Sequence, residues 1–242
     1  LADQLRAAKI SVEPKPDPFW TDREFKTREE VRAISLSLRA AEIGMQAGIE
    51  AVKRTEIRKD GYLYLDGTRF TSEILKRIIN TAIMSEGYVP SHTIAASGDQ
   101  CLDPHNQGSG PIRANTSIIM DIFPRSQSTG YFGDITRTVV RGRASERLKH
   151  AYHCVAKGQE IGFRRVRDGA SAYDIHYEIL NYFHTEGFPT GLMNGRMQGF
   201  FHGTGHGLGH DIHEAPSFGQ RSRNVLRAGN VVTVEPGLYY QG

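Results

Sequence analysis

Apolar residues recur at steps of three and four along the segment that starts near residue 27, which is the spacing of one face of an α-helix. They are Val31, Ile34, Leu38, Ala41, Met45, Ile49 and Val52. Thr27 is followed three residues later by Glu30, which is the pattern of a capping box at a helix start. We therefore predict a long amphipathic helix that runs from this cap to about Arg54.

Similar periodicity predicts further helices over residues 71–86, 145–166 and 172–185, and a short one over residues 1–10. Prolines at positions 14, 16 and 18 exclude a helix over residues 12–20. Runs rich in β-branched residues predict strands over residues 93–96, 116–123, 131–140 and 230–235, the second and third joined as a hairpin. The helix over 71–86 leads into Gly87-Tyr88, and the helix over 172–185 leads into Gly187-Phe188. This repeated pattern of a helix followed by glycine and an aromatic residue predicts an internally duplicated α+β fold.

Residues 201–216, with the sequence FHGTGHGLGHDIHEAP, contain four histidines: His202, His206, His210 and His213. Glycine occupies every second position from 203 to 209, and four glycines would destabilise a helix by about 4 kcal/mol relative to alanine. An extended chain places residues 202, 204, 206, 208 and 210 on one face and the glycines on the other. We therefore predict a thin ribbon that presents imidazoles on one side and lets another backbone approach on the glycine side.

Three carboxylates are set in apolar runs. Asp121 follows Ile-Ile-Met, Asp134 precedes an isoleucine, and Glu235 follows Val-Val-Thr-Val. Such carboxylates are seldom fully buried without a partner, although solvent-exposed strand ends are an equal alternative for either aspartate alone. Together with His206 they form an oxygen-rich donor set that suits Mn²⁺, Co²⁺, Fe²⁺ or Zn²⁺. Two such ions that share a bridging carboxylate can activate water for hydrolysis.

Composition narrows the classes of function. The 242 residues are 38% hydrophobic and 24% charged, as in folded globular proteins. A net charge of +3 without a basic run indicates no nucleic-acid partner, and no stretch reaches the roughly 20 apolar residues of a membrane span. Cys101 and Cys154 are too few for a disulfide framework. With no signal peptide at the start, free thiols predict a cytoplasmic location.

Three separated motifs resemble one family. They are HGTGHGLGHDIHEAP, the hairpin that ends in GDITRT (residues 133–138), and VTVEPGLYY (residues 232–240). Together they are similar to the pita-bread metallopeptidases, which include methionine aminopeptidase, aminopeptidase P and prolidase, with the metal-free creatinases as relatives. The combination of HGTGHG with DIHEAP is more similar to the proline-directed branch, aminopeptidase P and prolidase, than to methionine aminopeptidase. The resemblance implies an α+β pita-bread fold for residues 27–242, in which helices cover an antiparallel sheet. It also implies that residues 1–26 are a linker and the end of a preceding domain.

The resemblance also implies an activity: a metal-dependent exopeptidase of aminopeptidase P or prolidase type, which cleaves Xaa-Pro bonds through attack of a metal-activated hydroxide. The implied cofactors are two divalent ions, Mn²⁺ first, with Co²⁺, Fe²⁺ or Zn²⁺ as alternatives. The implied metal ligands are Asp121, Asp134, His206 and Glu235. Asp134 would bridge the ions, and Glu235 would also be the general base. The implied partners are a peptide with proline at its second position and a second copy of the chain, as a homodimer.

Three histidines are implied as further catalytic residues: His105, His202 and His213. They would bind the substrate carbonyl or carboxylate and stabilise the oxyanion. Thr136 is a candidate partner for the metal-bound carboxylates, and Glu214 matches a frequent neighbour without an assigned role.

The sequence departs from the family pattern in three places. The hairpin between the two aspartates is longer than usual. His210 stands where the family has an apolar residue, and we expect a buried histidine there. The family's fifth ligand is a glutamate on a strand after GLYY, whereas the sequence stops at Gln241-Gly242, so we expect further residues to supply it. The alternatives are a metal-free creatinase-like hydrolase of C–N bonds and an inactive peptide-binding module, and the intact set of four ligands counts against both.

Overall fold

The computed structural model describes residues 1–13 and 20–241. These residues form α-helices α1 (Ala2–Ala7), α2 (Arg28–Arg54), α3 (Ser72–Ser85), α4 (Glu146–Arg165) and α5 (Ala172–Thr185), with 3₁₀ turns at Thr21–Glu24 and Gly98–Leu102. The strands are β1 (Glu56–Ile57), β2 (Leu63–Leu65), β3 (Thr68–Arg69), β4 (Tyr88–Val89), β5 (Ile94–Ser97), β6 (Ser117–Ile122), β7 (Arg125–Ser126), β8 (Ile135–Val140), β9 (Gly191–Met193), β10 (Arg196–Gln198), β11 (Gly205–Gly207) and β12 (Glu214–Phe218). The prolines at 14, 16 and 18, from which we excluded a helix, lie outside the described residues.

The predicted helices are confirmed, and their caps explain their bounds. Both hydrogen bonds of the capping box are present at α2, because the Thr27 side chain accepts from the Glu30 N–H and the Glu30 side chain accepts from the Thr27 N–H. Buried residues of α2 recur on one face and pack against α3. None of the described helices combines the length and the apolar composition that crossing a membrane requires.

The internal duplication is clearest in α3 and α5. Each helix has 14 residues and begins with a hydroxyl cap, in which Thr71 accepts from the Ile74 N–H and Ser171 accepts from the Asp174 N–H. Each ends before a glycine with positive φ, 81° at Gly87 and 87° at Gly187, a conformation that favours glycine. The repeated lengths and caps confirm that the chain uses the same helical unit twice.

Each half has its own hydrophobic core. The first packs α2 and α3 against one face of the antiparallel sheet β5-β6-β8, where Ile118, Met120 and Ile122 are fully buried. The second packs α4 and α5 against aromatic residues of the later segments, including Phe188, Phe200 and Phe218. Because side chains alternate along a strand, the Asp121 side chain extends from the face of β6 opposite the first core.

Two predicted strands are shorter than expected. The hairpin strand predicted over 131–140 is regular only from Ile135. Before it, Phe132 forms an isolated bridge with Arg125 and Gly133 N–H donates to Pro124 on the opposite arm, while Phe132 N–H donates to Gly209 of the histidine ribbon. Residues 230–235 run beside β11 with three backbone hydrogen bonds, from Leu208 to Val231, Thr233 to His206 and Glu235 to Thr204, but form only one β-bridge. Here the ladder is interrupted because His206 N–H donates to the Thr233 hydroxyl.

The histidine ribbon forms a regular strand only over Gly205–Gly207, and its pairing with β12 shifts register between His206 and Gly207. The shift lies in β12, where Ala215 and Pro216 have no partner on β11, and residues 204, 206 and 208 of the ribbon bond to residues 235, 233 and 231 at the strand period of two. Thr204 is fully buried and bonded to His176, whereas His210 is exposed with its ring 4.0 Å from that of Tyr131. The expectation that His210 would be buried is therefore wrong.

Candidate metal centre

Three of the four predicted ligands converge on one point between the two halves. Donor atoms of Asp134, His206 and Glu235 all lie within 4.8 Å of one another. The Nε2 atom of His206 is 2.9 Å from Glu235 Oε1 and 3.5 Å from Asp134 Oδ2. Each residue comes from a different segment: Asp134 from the chain just before β8, His206 from β11, and Glu235 from the segment beside β11. The cluster therefore depends on how these segments pack together.

Asp121 lies next to this cluster, on β6, where it pairs with Thr136 of β8. The Thr136 hydroxyl donates to Asp121 Oδ1 over 2.6 Å, which is the contact we predicted for this threonine. The negative charge of Asp121 contributes to the raised pKa of Asp134. A strand-end position in solvent, the alternative considered for both aspartates, does not apply, since the Asp134 side chain is only 7% exposed.

Two of the three carboxylates are disfavoured as anions, whereas hydrogen bonds from His206 and Thr233 lower the pKa of Glu235 against the effect of its burial. Burial raises the pKa of Asp121 to about 6, although the Thr136 hydrogen bond lowers it. Burial, Glu235 and Asp121 together raise the pKa of Asp134 well above its usual value. Carboxylates brought together in this way need a cation nearby to remain ionised at neutral pH. The donor set therefore fits a divalent metal better than it fits a purely structural role.

The orientation of His206 provides a second test of that fit. Its Nδ1 atom is 3.0 Å from the Gly207 carbonyl oxygen, which can only accept, so Nδ1 carries the proton. The lone pair of neutral His206 is then on Nε2, directed at the carboxylates of Glu235 and Asp134. Two acceptors at 2.9 Å require a proton or a metal ion between them. A backbone carbonyl that fixes the ring tautomer is the usual support of a metal-binding histidine.

The other predicted histidines lie around this centre. The His213 ring meets that of His206 edge-on, with centroids 4.3 Å apart. His202 is half-buried, its Nδ1–H donates to the Gly203 carbonyl over 2.7 Å, and burial lowers its pKa. His105 is exposed in the loop after the second 3₁₀ turn, and its nearness contributes to the lowered pKa of both His202 and His213. The structure thus brings His202 and His213 near the carboxylate cluster, with His105 beside these two histidines.

Two residues of the site were not predicted. The Thr233 hydroxyl donates to Glu235 Oε1 over 2.7 Å and orients that carboxylate as Thr136 orients Asp121. The Tyr239 hydroxyl donates to His202 Nε2 over 3.1 Å, since Nδ1 of that ring already carries its proton. Thr233 stands two residues before Glu235 in an extended segment, so the strand period of two was a signal that would have found it. Tyr239 carried no comparable signal.

A cleft of about 280 Å³ opens beside Tyr239. One side of the cleft is formed by the second 3₁₀ turn and the residues after it, with Asp99 and Asp103. The other side is formed by strand β10, with Arg196. Tyr239 therefore links this cleft to His202 and to the carboxylate cluster.

The glycine face of the ribbon is in close contact with other backbone, as predicted. A Cβ atom at Gly205 would lie 2.0 Å from the Thr233 carbonyl oxygen, and one at Gly207 would lie 2.2 Å from that of Ala215. These contacts bring the segment that carries Glu235 against His206.

We expect Gly205→Ala to destabilise the protein by about 1–3 kcal/mol or more, because the added methyl group forces the ribbon away from Thr233. Urea unfolding measures the change. Gly191→Ala is the matched control, since a Cβ there meets nothing within 4 Å and its φ is not positive. Equal unfolding free energies for the two variants would show that the close approach is not a constraint.

The fold and the site together define an α+β domain with a histidine–carboxylate cluster suited to divalent metal ions. A family model of this class, metallopeptidase family M24, matches residues 35–242. The chain belongs to metallopeptidase family M24. This membership agrees with the predicted resemblance, and a metallopeptidase family implies divalent metal ions.

Individual relatives support the same conclusion. The chain is 28% identical over 247 residues to the Xaa-Pro dipeptidase of Pyrococcus horikoshii, covering 97% of this chain and 61% of that protein. It is 26% identical over 234 residues to the Xaa-Pro aminopeptidase of Escherichia coli, covering 90% of this chain and 49% of that protein. The solved structure of an Xaa-Pro dipeptidase from Bacillus anthracis matches with a TM-score of 0.83 and 25% identity, over 100% of this chain and 62% of that chain. These matches confirm the predicted pita-bread fold, and the chain spans about half to three fifths of each relative's length.

Proposed function

We propose that this chain provides the catalytic domain of a metal-dependent exopeptidase that hydrolyses Xaa-Pro bonds, of aminopeptidase P or prolidase type. The observation that carries the proposal is the convergence of Asp134, His206 and Glu235, with Asp121 beside them. The Xaa-Pro dipeptidase and aminopeptidase names of the relatives support the substrate class.

In this proposal Asp121, Asp134, His206 and Glu235 would hold two divalent ions, with Mn²⁺ as the first choice. Oxygen-rich donors are the ligands that Mn²⁺ accepts readily. When bound, such ions supply Lewis acidity and a hydroxide nucleophile at neutral pH. Thr136 and Thr233 hold the carboxylates of Asp121 and Glu235 in place by donating hydrogen bonds to them.

The residues of the chain contribute the remaining steps. Glu235 accepts the proton of the attacking water as general base. His105, His202 and His213 surround the position of the scissile carbonyl, where an imidazole N–H stabilises negative charge on the oxygen. Tyr239 fixes the orientation of His202 through its hydroxyl. The neighbouring cleft is of a size that accommodates a short peptide.

Two measurements on the full-length protein test this function. Elemental analysis counts divalent ions per chain, and hydrolysis of an Xaa-Pro dipeptide is compared with that of an Xaa-Pro-Xaa tripeptide. We expect bound divalent metal and cleavage of at least one substrate, and the ratio of the two rates assigns the branch. Replacing proline by alanine in both substrates is the control, because a proline-directed enzyme discriminates against it. Absence of cleavage after incubation with Mn²⁺ or Co²⁺ would contradict the proposal and favour a binding module or a creatinase-like hydrolase.

Three further features belong to the same proposal: a homodimer, a cytoplasmic location, and residues 1–26 as a linker and the end of a preceding domain. The last residues of that segment are bonded to the catalytic domain, since Arg23 and Lys26 both donate to Glu214.

A further inference from the structure

A second group of metal-ligating side chains lies between α4 and the end of α5. His150 and Cys154 are four residues apart on α4, which places them on one face of the helix. Glu186 follows the last residue of α5. One donor atom from each of the three side chains lies within 4.8 Å of the others. None of the three is used in the proposed peptidase reaction.

The distances within this group are close to those of a tetrahedral zinc site. Cys154 Sγ is 3.8 Å from His150 Nδ1 and 4.0 Å from Glu186 Oε2. Zinc bonds of about 2.3 Å to sulfur and about 2.0 Å to nitrogen place these two ligands about 3.6 Å apart in a tetrahedral site. The observed separation of the sulfur and Nδ1 is about 0.2 Å longer than that.

The tautomer of His150 favours metal binding at this position. Its Nε2–H donates to the Glu186 carbonyl oxygen over 3.2 Å, because a carbonyl oxygen can only accept. The lone pair is then on Nδ1, which lies 3.8 Å from the cysteine sulfur, while Nε2 lies 3.9 Å from it. The ring also packs on Phe188, with centroids 5.1 Å apart. The tautomer therefore leaves Nδ1 available to an ion, and the ring turns toward the sulfur when it binds.

Neighbouring residues complete the surroundings of the sulfur. Cys154 is only 2% exposed, and its side chain is hydrogen-bonded to that of Tyr182. His150 and Glu186 are exposed and lie on the solvent side of the group, so an ion can reach the sulfur between them. A water molecule from that side can supply the fourth ligand.

We propose that His150, Cys154 and Glu186 form a second metal site, which binds Zn²⁺ and fastens α4 to the end of α5. A thiolate, an imidazole and a carboxylate are the three protein ligand types that zinc accepts. The thiolate distinguishes this site from the oxygen-rich centre at Asp134, because Mn²⁺ disfavours sulfur.

Cobalt(II) is the probe that separates the two sites, since a thiolate bound to Co²⁺ gives a charge-transfer absorption in the near ultraviolet that oxygen and nitrogen ligands do not. We expect metal-free wild-type protein to develop this absorption on titration with Co²⁺. Cys154→Ser and His150→Gln are expected to lose it, and Cys101→Ser to keep it. Absence of the band in the wild type, or its loss in Cys101→Ser alone, would overturn the proposal.

Thermal unfolding gives a readout that does not depend on the thiol. Zinc at about a hundred times its Kd is expected to raise the Tm of the wild type by roughly 5–10 °C more than that of His150→Gln. Binding at the Asp134 centre is common to both proteins and cancels in the difference. His150 is exposed, so the variant is expected to fold. Equal zinc-dependent shifts in the two proteins would contradict a site at His150.

Discussion

Asp134→Asn is expected to remove the metal held at the Asp134 centre and the peptidase activity together, with kcat/KM lower on the order of a thousand-fold, because metal catalysis contributes several kcal/mol to transition-state stabilisation. In the proposed centre the Asp134 carboxylate would be a ligand, and the neutral amide that replaces it is a weak one. Elemental analysis and the rate of Xaa-Pro cleavage, measured on the same preparation, check the two effects. Wild-type metal content and activity in this variant would contradict the assignment of Asp134 as a ligand.

The fold of this variant can be verified separately. A carboxyl group whose pKa is raised in the folded state is unfavourable when ionised, so its removal does not destabilise the metal-free protein at neutral pH. We therefore expect metal-free Asp134→Asn to unfold at the same temperature as the metal-free wild type, or at a higher one. Asp66→Asn is the matched control, because the Asp66 side chain is 77% exposed and pairs with Arg54 on the surface.

Glu214→Gln is expected to lower the free energy of unfolding by about 3–5 kcal/mol, because it leaves the charge of Lys26 buried without its partner. The Lys26 side chain is 1% exposed, and its Nζ atom is 2.5 Å from Glu214 Oε1. Arg23 donates to the second carboxylate oxygen of Glu214 over 2.6 Å. In a chain of this length the change corresponds to a decrease in Tm of roughly 6–20 °C. Urea unfolding followed by circular dichroism measures it.

Two further variants test whether the buried charge of Lys26 causes the loss of stability in Glu214→Gln. Glu160→Gln breaks a surface pair in which the side chains of Lys157 and Glu160 are 48% and 62% exposed, so this variant is expected to unfold with nearly the free energy of the wild type. The double variant Lys26→Met with Glu214→Gln is expected to recover part of the loss, since it removes the buried charge itself. A Glu214→Gln variant as stable as Glu160→Gln would show that the pair is not a structural constraint.

The ion pair between Lys26 and Glu214 also gives Glu214 a structural role that its position next to His213 did not indicate. Lys26 precedes α2, whereas Glu214 begins β12, more than 180 residues later. The contact connects the start of the domain to the histidine ribbon. Its partners are too far apart in sequence for any local pattern to have predicted it.

The helices were predictable because their determinants are local. The cap at Thr27, the caps at Thr71 and Ser171 and the apolar period act within a few residues, and the helices begin and end close to the predicted positions. The strands at 131–134 and 230–235 were overpredicted for the opposite reason. Their residues favour strand, but Phe132 N–H donates to the distant carbonyl of Gly209, and the Thr233 hydroxyl accepts from the N–H of His206.

The sequence by itself determined the helical units, the duplication and the residue types of the centre, since carboxylates in apolar runs and a glycine-spaced histidine ribbon are anomalies visible without coordinates. Only the tertiary structure decided which atoms meet. The 2.9 Å approach of His206 to Glu235, its 3.5 Å approach to Asp134, the Tyr239–His202 hydrogen bond and the packing of His210 on Tyr131 all join segments far apart in the chain. Distances of this kind result from packing between residues far apart in the chain, and the periodicity of a sequence carries no information about them.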